Sequence, residues 1–202
     1  MVEFNEHKFK ELILYIATQC KEDVFYGAVK LNKVLFFSDF LAHERLGQPI
    51  TGAEYMAIEH GPAPRRLLPI REEMLEEGDI VVEQRAHQTR ILAAREPDLK
   101  QFSPEELAIV DYVVLSLRNI AAEEVSDLTH QLPGWREARA RGLETGENAA
   151  ISYTSGPVSG VLSAAAQAGD PLSWELYRRG EEDLQRGRFF RLDEVKRRLG
   201  DL

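Results

Sequence analysis

Five side chains have the types and spacing that an acid–base or metal site would need. Asp39 and His43 stand four residues apart, Asp127 and His130 three apart, and His60 lies between them in the chain. On facing helices, such carboxylate–imidazole pairs could hold a metal ion. Their spacing matches no zinc or di-iron signature, however. Both pair histidines also fall near helix ends, where a cation suits the helix dipole. No metal and no cofactor are therefore expected. The nucleophile and phosphate motifs are missing as well: there is no Gly-x-Ser-x-Gly, no Walker A loop and no Gly-x-Gly-x-x-Gly turn. Cys20, the only cysteine, stands in an apolar stretch that disfavours a thiolate. The chain is expected not to be an enzyme.

Two cations are more unusual. Lys30 and Lys33 interrupt a segment, Gly27 to Leu46, that is otherwise apolar over more than half its helical circumference (Leu31, Val34, Leu35, Phe37, Phe40 and Leu41, with Phe36 on the flank). They could face a partner or acidic groups inside the domain. They could equally lay their methylenes on the core with the ammonium groups in water. Asp39 in the same segment has Phe36 three residues before it, so its partner must come from another element. His60-Gly61-Pro62 could present a histidine to a ligand. Alternatively, Gly61 supplies a backbone angle closed to other residues and Pro62 sets the exit direction.

The elements that would position these groups are mostly helical. Phe9, Leu12, Ile13 and Ile16 mark one face of a helix between Phe4 and Cys20, with Asn5 as its N-cap. The Gly27–Leu46 helix should occupy the middle of the domain and end at Gly47. A Gly/Pro-rich loop follows, with a short strand near residues 55–58, then a helix over about 65–77 that Pro69 must kink or delay. Residues 79–82 and 90–94 are β-prone and flank a polar run from Arg85, which predicts an antiparallel hairpin without an Asn-Gly turn. Ser103-Pro104-Glu105-Glu106 is a capping box that opens a helix through Arg118. A shorter helix runs from Ala121 to His130, and Pro133-Gly134 reads as a turn. The Gly/Ser/Ala-rich run from Gly156 to Gly169 suggests that a compact domain ends near residue 155. A helical C-terminal extension, 156–202, would follow, with helices at 172–184 and 193–199. The fold class is thus α+β, a mostly helical domain with a small antiparallel sheet.

Composition narrows the partners. Of 202 residues, 25 are Lys or Arg and 34 are Asp or Glu, a net charge of −9. That balance argues against a protein that coats nucleic acid, which phosphate neutralisation would have to drive. No apolar run reaches the roughly 18 residues of a membrane span, and Met1-Val-Glu-Phe-Asn-Glu-His lacks the opening of a signal peptide. A cytoplasmic location is expected.

Three stretches, taken together, carry a resemblance. They are Lys30-Leu31-Asn32-Lys33-Val34-Leu35-Phe36-Phe37-Ser38-Asp39-Phe40; then Gly47-Gln48-Pro49-Ile50-Thr51-Gly52 with Tyr55-Met56-Ala57, Glu59-His60-Gly61-Pro62-Ala63-Pro64 and Leu67; and Ser126-Asp127-Leu128-Thr129-His130 with Trp135 and Ile151-Ser152-Tyr153. Over about residues 5–155 the chain resembles the Panacea domain, the SocA-like or GepA-like antitoxins of bacteria and their phages. The resemblance implies an antitoxin that binds a cognate protein toxin encoded beside it; one branch of the family instead delivers its toxin to a Clp protease. It marks Phe37, Asp39, Glu59, His60, Gly61, Pro62, His130 and Trp135 as motif residues, structural or binding. The tail from Arg179 to Leu199 is similar to the C-terminal ends of small type II antitoxins. Phe189, Phe190, Leu192, Val195 and Leu199 form its apolar stripe, fit to dock in a groove or to fold back on the chain. With Lys30 and Lys33, these are the expected partner-binding residues. A second possibility is a DNA-binding regulator of its own operon, a winged helix with Arg85, His87 and Arg90 on the wing and Arg65, Arg66 and Arg71 on the preceding helix. Glu72, Glu73, Glu76, Glu77 and Asp79 on that helix would repel phosphate.

Overall fold

The computed structural model describes residues 2–85, 88–169, 171–191 and 194. Helix α1 (Glu6–Gln19) begins where the sequence predicts, with the Asn5 side chain accepting from the Lys8 amide at 2.9 Å. Helix α2 (Ala28–Leu46) closes on Gly47, whose φ of 78° is the left-handed cap only glycine adopts cheaply. Strands β1 (Tyr55–Ile58) and β2 (Gly61–Pro64) then form a tight antiparallel pair, Ile58 opposite Gly61. The Gly/Pro-rich stretch expected as loop therefore supplies the second strand. Its prolines are tolerated because β2 is an edge strand, in the order β2-β1-β5.

Helix α3 (Leu67–Glu76) starts late enough that Pro69 falls in its first turn, where no ladder hydrogen bond is lost. Strands β3 (Ile80–Arg85) and β4 (Gln88–Ala93) pair antiparallel, longer than their composition suggests, with Ile80 opposite Ala93. A 3-10 turn, Leu99–Gln101, leads to α4 (Pro104–Ser116), whose capping box is complete. Ser103 Oγ accepts from the Glu106 amide at 3.2 Å, and the Glu106 carboxylate accepts from the Ser103 amide at 2.9 Å. Helix α5 (Ala122–Thr129) follows.

Two predicted irregular stretches are helical. Pro133 is the N1 residue of α6 (Pro133–Thr145), and the Gly/Ser/Ala-rich run contains α7 (Ser159–Ala168). Proline at N1 lacks only an amide that has no partner there anyway. Gly134 is required inside α6 because a Cβ there would collide with Ser155. Between the two helices, β5 (Ala150–Ile151) adds to β1. Helix α8 (Pro171–Gln185) follows.

Helices α2 and α4 run through the centre, and α4 is buried at every position from Glu106 to Ser116. The helices after residue 155 share this core through Leu162, Ala165, Ala166, Leu176 and Tyr177. Gly180 lets α8 lie close on α4, since a Cβ there would stand 2.8 Å from Tyr112 Cδ2. Across helices, Glu181 is held by the Tyr112 hydroxyl at 2.8 Å and by Arg45 at 2.6 Å. The change in composition near residue 155 thus alters the polarity of the chain without interrupting its core.

Candidate functional site

Lys33 and the β1–β2 turn build one site. Lys33 is 1 % exposed, and its ammonium donates to the main-chain carbonyls of His60 and, at 3.3 Å, Pro62. Those carbonyls flank Gly61, which has φ 90°. A Cβ at Gly61 would sit 2.5 Å from Lys33 Nζ and would also collide with Thr129 Oγ1, so glycine is needed for space as well as for backbone angle. Among the described residues no carboxylate stands at ion-pair distance from Lys33. Burial alone pulls its amine down to about 7 from the usual 10.5.

The turn is clamped from its other side. Thr129, fully buried at the end of α5, donates to the Ser126 carbonyl at 2.7 Å. The next residue, His130, stacks on Trp135 with ring centroids 4.2 Å apart at 26°. The Trp135 indole N–H reaches the Ile58 carbonyl at 3.3 Å, and Arg136 donates to the His130 carbonyl at 2.9 Å. Burial depresses the His130 imidazole, with the nearby Lys33 charge acting the same way and Asp127 and the Glu59 carbonyl opposing. Glu59 and His60 remain exposed at the tip; His130 and Trp135 are half-buried.

Lys30, three residues before Lys33, sits in a different setting. It is also 1 % exposed, but it pairs with Asp23 at 2.5 Å and donates to the Ile120 carbonyl at 2.9 Å. Burial lowers its amine and the Asp23 carboxylate pulls it back up. Neither lysine reaches the surface, so contact with a partner through Lys30 or Lys33 gives way to contacts inside the chain. Nor do they snorkel, because each ammonium finds acceptors from another element.

Asp39 makes a second, wholly internal cluster. Its carboxylate accepts from the Thr51 amide at 2.7 Å, the Thr51 hydroxyl at 2.6 Å and the Tyr55 hydroxyl at 2.7 Å. Burial pushes its pKa up, making it a weaker acid, and these hydrogen bonds oppose that shift. Phe37 is fully buried and packs edge-on against Phe36 at 5.3 Å, which makes it a core residue. The His43 ring lies 5.6 Å from the Tyr153 ring. Among the described residues no three His, Cys, Asp or Glu side chains gather as metal ligands. Cys20 is buried, its thiol pushed up to about 12 by burial first and by Asp23.

Four of the cations proposed for a DNA-binding wing and the helix before it are engaged by the chain's own acceptors. Arg65 pairs with Glu54 at 2.9 Å, Arg66 with Glu6 at 2.6 Å and Arg85 with Glu83 at 2.9 Å. Arg90 is buried, donating to the Lys21 carbonyl at 2.7 Å. His87 lies outside the described residues, as do Leu192, Val195 and Leu199 of the tail stripe. Phe189 and Phe190 are half-buried.

Asp23, Thr51, Tyr55 and Thr129 are the site residues that spacing did not reveal. Asp23 precedes Lys30 by seven residues across a loop, and no periodic signal links a loop carboxylate to a helix. Thr51, Tyr55 and Thr129 stand in the quoted motif stretches, but their hydroxyl partners are set by tertiary contact alone.

Every group of this clamp, from Lys33 on α2 to Trp135 on α6, falls within one matched stretch. The profile of the antitoxin SocA-like, Panacea domain covers residues 31–136. Comparisons with curated proteins and with solved structures give no match. No helix among the described residues is long and apolar enough to cross a membrane. Lysine, glycine, histidine and tryptophan of the predicted motif meet at one turn, inside the span of the family profile: the chain belongs to the antitoxin SocA-like, Panacea domain family.

Proposed function

We propose that this chain neutralises a protein toxin by direct, non-covalent binding, and that the Glu59–His60 turn with the His130–Trp135 stack is its toxin-facing surface. Family membership supports an antitoxin role and, in general terms, a toxin partner. The observation that carries the finer reading is the clamp itself. A buried amine, a glycine with no room for a side chain and a tryptophan hydrogen bond hold one exposed turn in place. A surface ordered before binding avoids the ordering cost of association, and a half-buried tryptophan at its centre is the residue type that most often dominates binding energy. No bond needs to be made or broken.

Co-expression tests this reading. The protein encoded beside this chain should be toxic alone, harmless with it, and should co-purify with it. Glu59→Arg with His60→Ala, both at exposed positions, should abolish protection while the protein remains folded. Full protection by that double variant would remove the turn from the interface. In the same reading, residues 186–202 add contact area to the toxin, and their deletion should weaken binding.

A further inference from the structure

After α8 ends at Gln185, the chain turns at Gly187, φ 66°, and Arg188 pairs with Asp183. Three residues on, the Arg191 guanidinium lies 5.5 Å from the centre of the Tyr15 ring on α1. Its Nε is 3.6 Å from Asp111 Oδ2 on α4. Tyr15 and Asp111 are 1 % and 2 % exposed, and the Tyr15 hydroxyl donates to the other Asp111 oxygen at 2.5 Å. A buried carboxylate beside an aromatic face is a setting that favours arginine over lysine, because a planar guanidinium can stack and pair at once.

We infer that the recess formed by Tyr15 and Asp111 is an arginine seat, and that Arg191 in it straps residues 186–191 onto the chain's own core. The half-buried Phe189 and Phe190 travel with that strap. Any partner that takes these phenylalanines must first draw Arg191 out of its seat, so the seat sets how often the tail is offered. The strap does not depend on toxin binding by the Glu59–His60 turn, and its test uses no toxin.

The full-length protein is compared with Arg191→Ala and Arg191→Lys by hydrogen exchange over residues 182–191 and by trypsin cleavage after Arg186 and Arg188. Cleavage of a briefly opened segment follows the population of its open form. Losing the ion pair with Asp111 and the stacking on Tyr15 should raise both rates about tenfold in Arg191→Ala. Arg191→Lys should fall between, and exchange in α1 and α4 should not change. Unchanged tail rates in Arg191→Ala would overturn the strap. So would an equal rise in α1, α4 and the tail, which would make Arg191 a support of the whole core.

Discussion

Lys30 and Lys33 lie one turn apart on the same helix and are equally buried, yet the protein handles them in opposite ways. Lys30 has a counter-ion, Asp23, and a carbonyl; Lys33 has carbonyls only. The first is a buried ion pair, whose desolvation cost is offset by Coulomb attraction. The second is an amine that burial drives towards neutrality, and its work is to hold a turn. The contrast teaches that a buried lysine can serve either as a charge or as a hydrogen-bond donor. Which one depends on whether a carboxylate faces it.

Three tests probe that difference, and a fourth serves as their control. Asp23→Ala should have the largest effect, since it leaves Lys30 buried without its counter-ion. A loss of about 3–5 kcal/mol in urea unfolding is expected, and a loss below about 1 kcal/mol would mean that Ile120 alone satisfies the amine. Next comes Gly61→Ala, which forces a side chain into φ 90° and against Lys33 Nζ. The backbone strain alone costs on the order of 1–3 kcal/mol, and Lys33→Ala in the same chain should recover part of it by vacating the space.

The third test concerns pH. Because folding lowers the Lys33 amine from 10.5 to about 7, the unfolded chain binds more protons between those values. The contribution of Lys33 to stability is therefore fully present above pH 10.5 and is lost as pH falls through 7. One group can give a slope of at most about 1.4 kcal/mol per pH unit. Unfolding of Lys33→Met, compared with the parent from pH 6.5 to 10, should lack that rise. Equal slopes would show that Lys33 stays charged inside the fold. Smallest is Ser103→Ala, which removes a local cap far from both lysines. It should cost about 1 kcal/mol and leave the pH profile untouched.

Local chemistry was legible. Asn5, Gly47 and the Ser103–Glu106 box place helix ends through contacts within a few residues, and the apolar wrap of α2 places it centrally. The family residues were also readable from the chain as three separate stretches. Helix α7 was hidden because glycine, serine and alanine have weak preferences that the packing of Leu162 and Ala165 overrides. Helix α6 was hidden because Pro133-Gly134 fits a turn as readily as an N1 proline.

By itself, then, the amino-acid order determined a mostly helical α+β protein of the antitoxin family, with a central aromatic helix and a glycine turn. Only the tertiary structure decided what each polar side chain does. It put both lysines inside, gave one a carboxylate and the other a turn, and brought Trp135 within reach of Ile58. Helix periodicity and caps are written in neighbours a few residues apart. The partner of a buried charge comes from a distant segment, and solvent exclusion, set by the whole fold, decides what that charge costs.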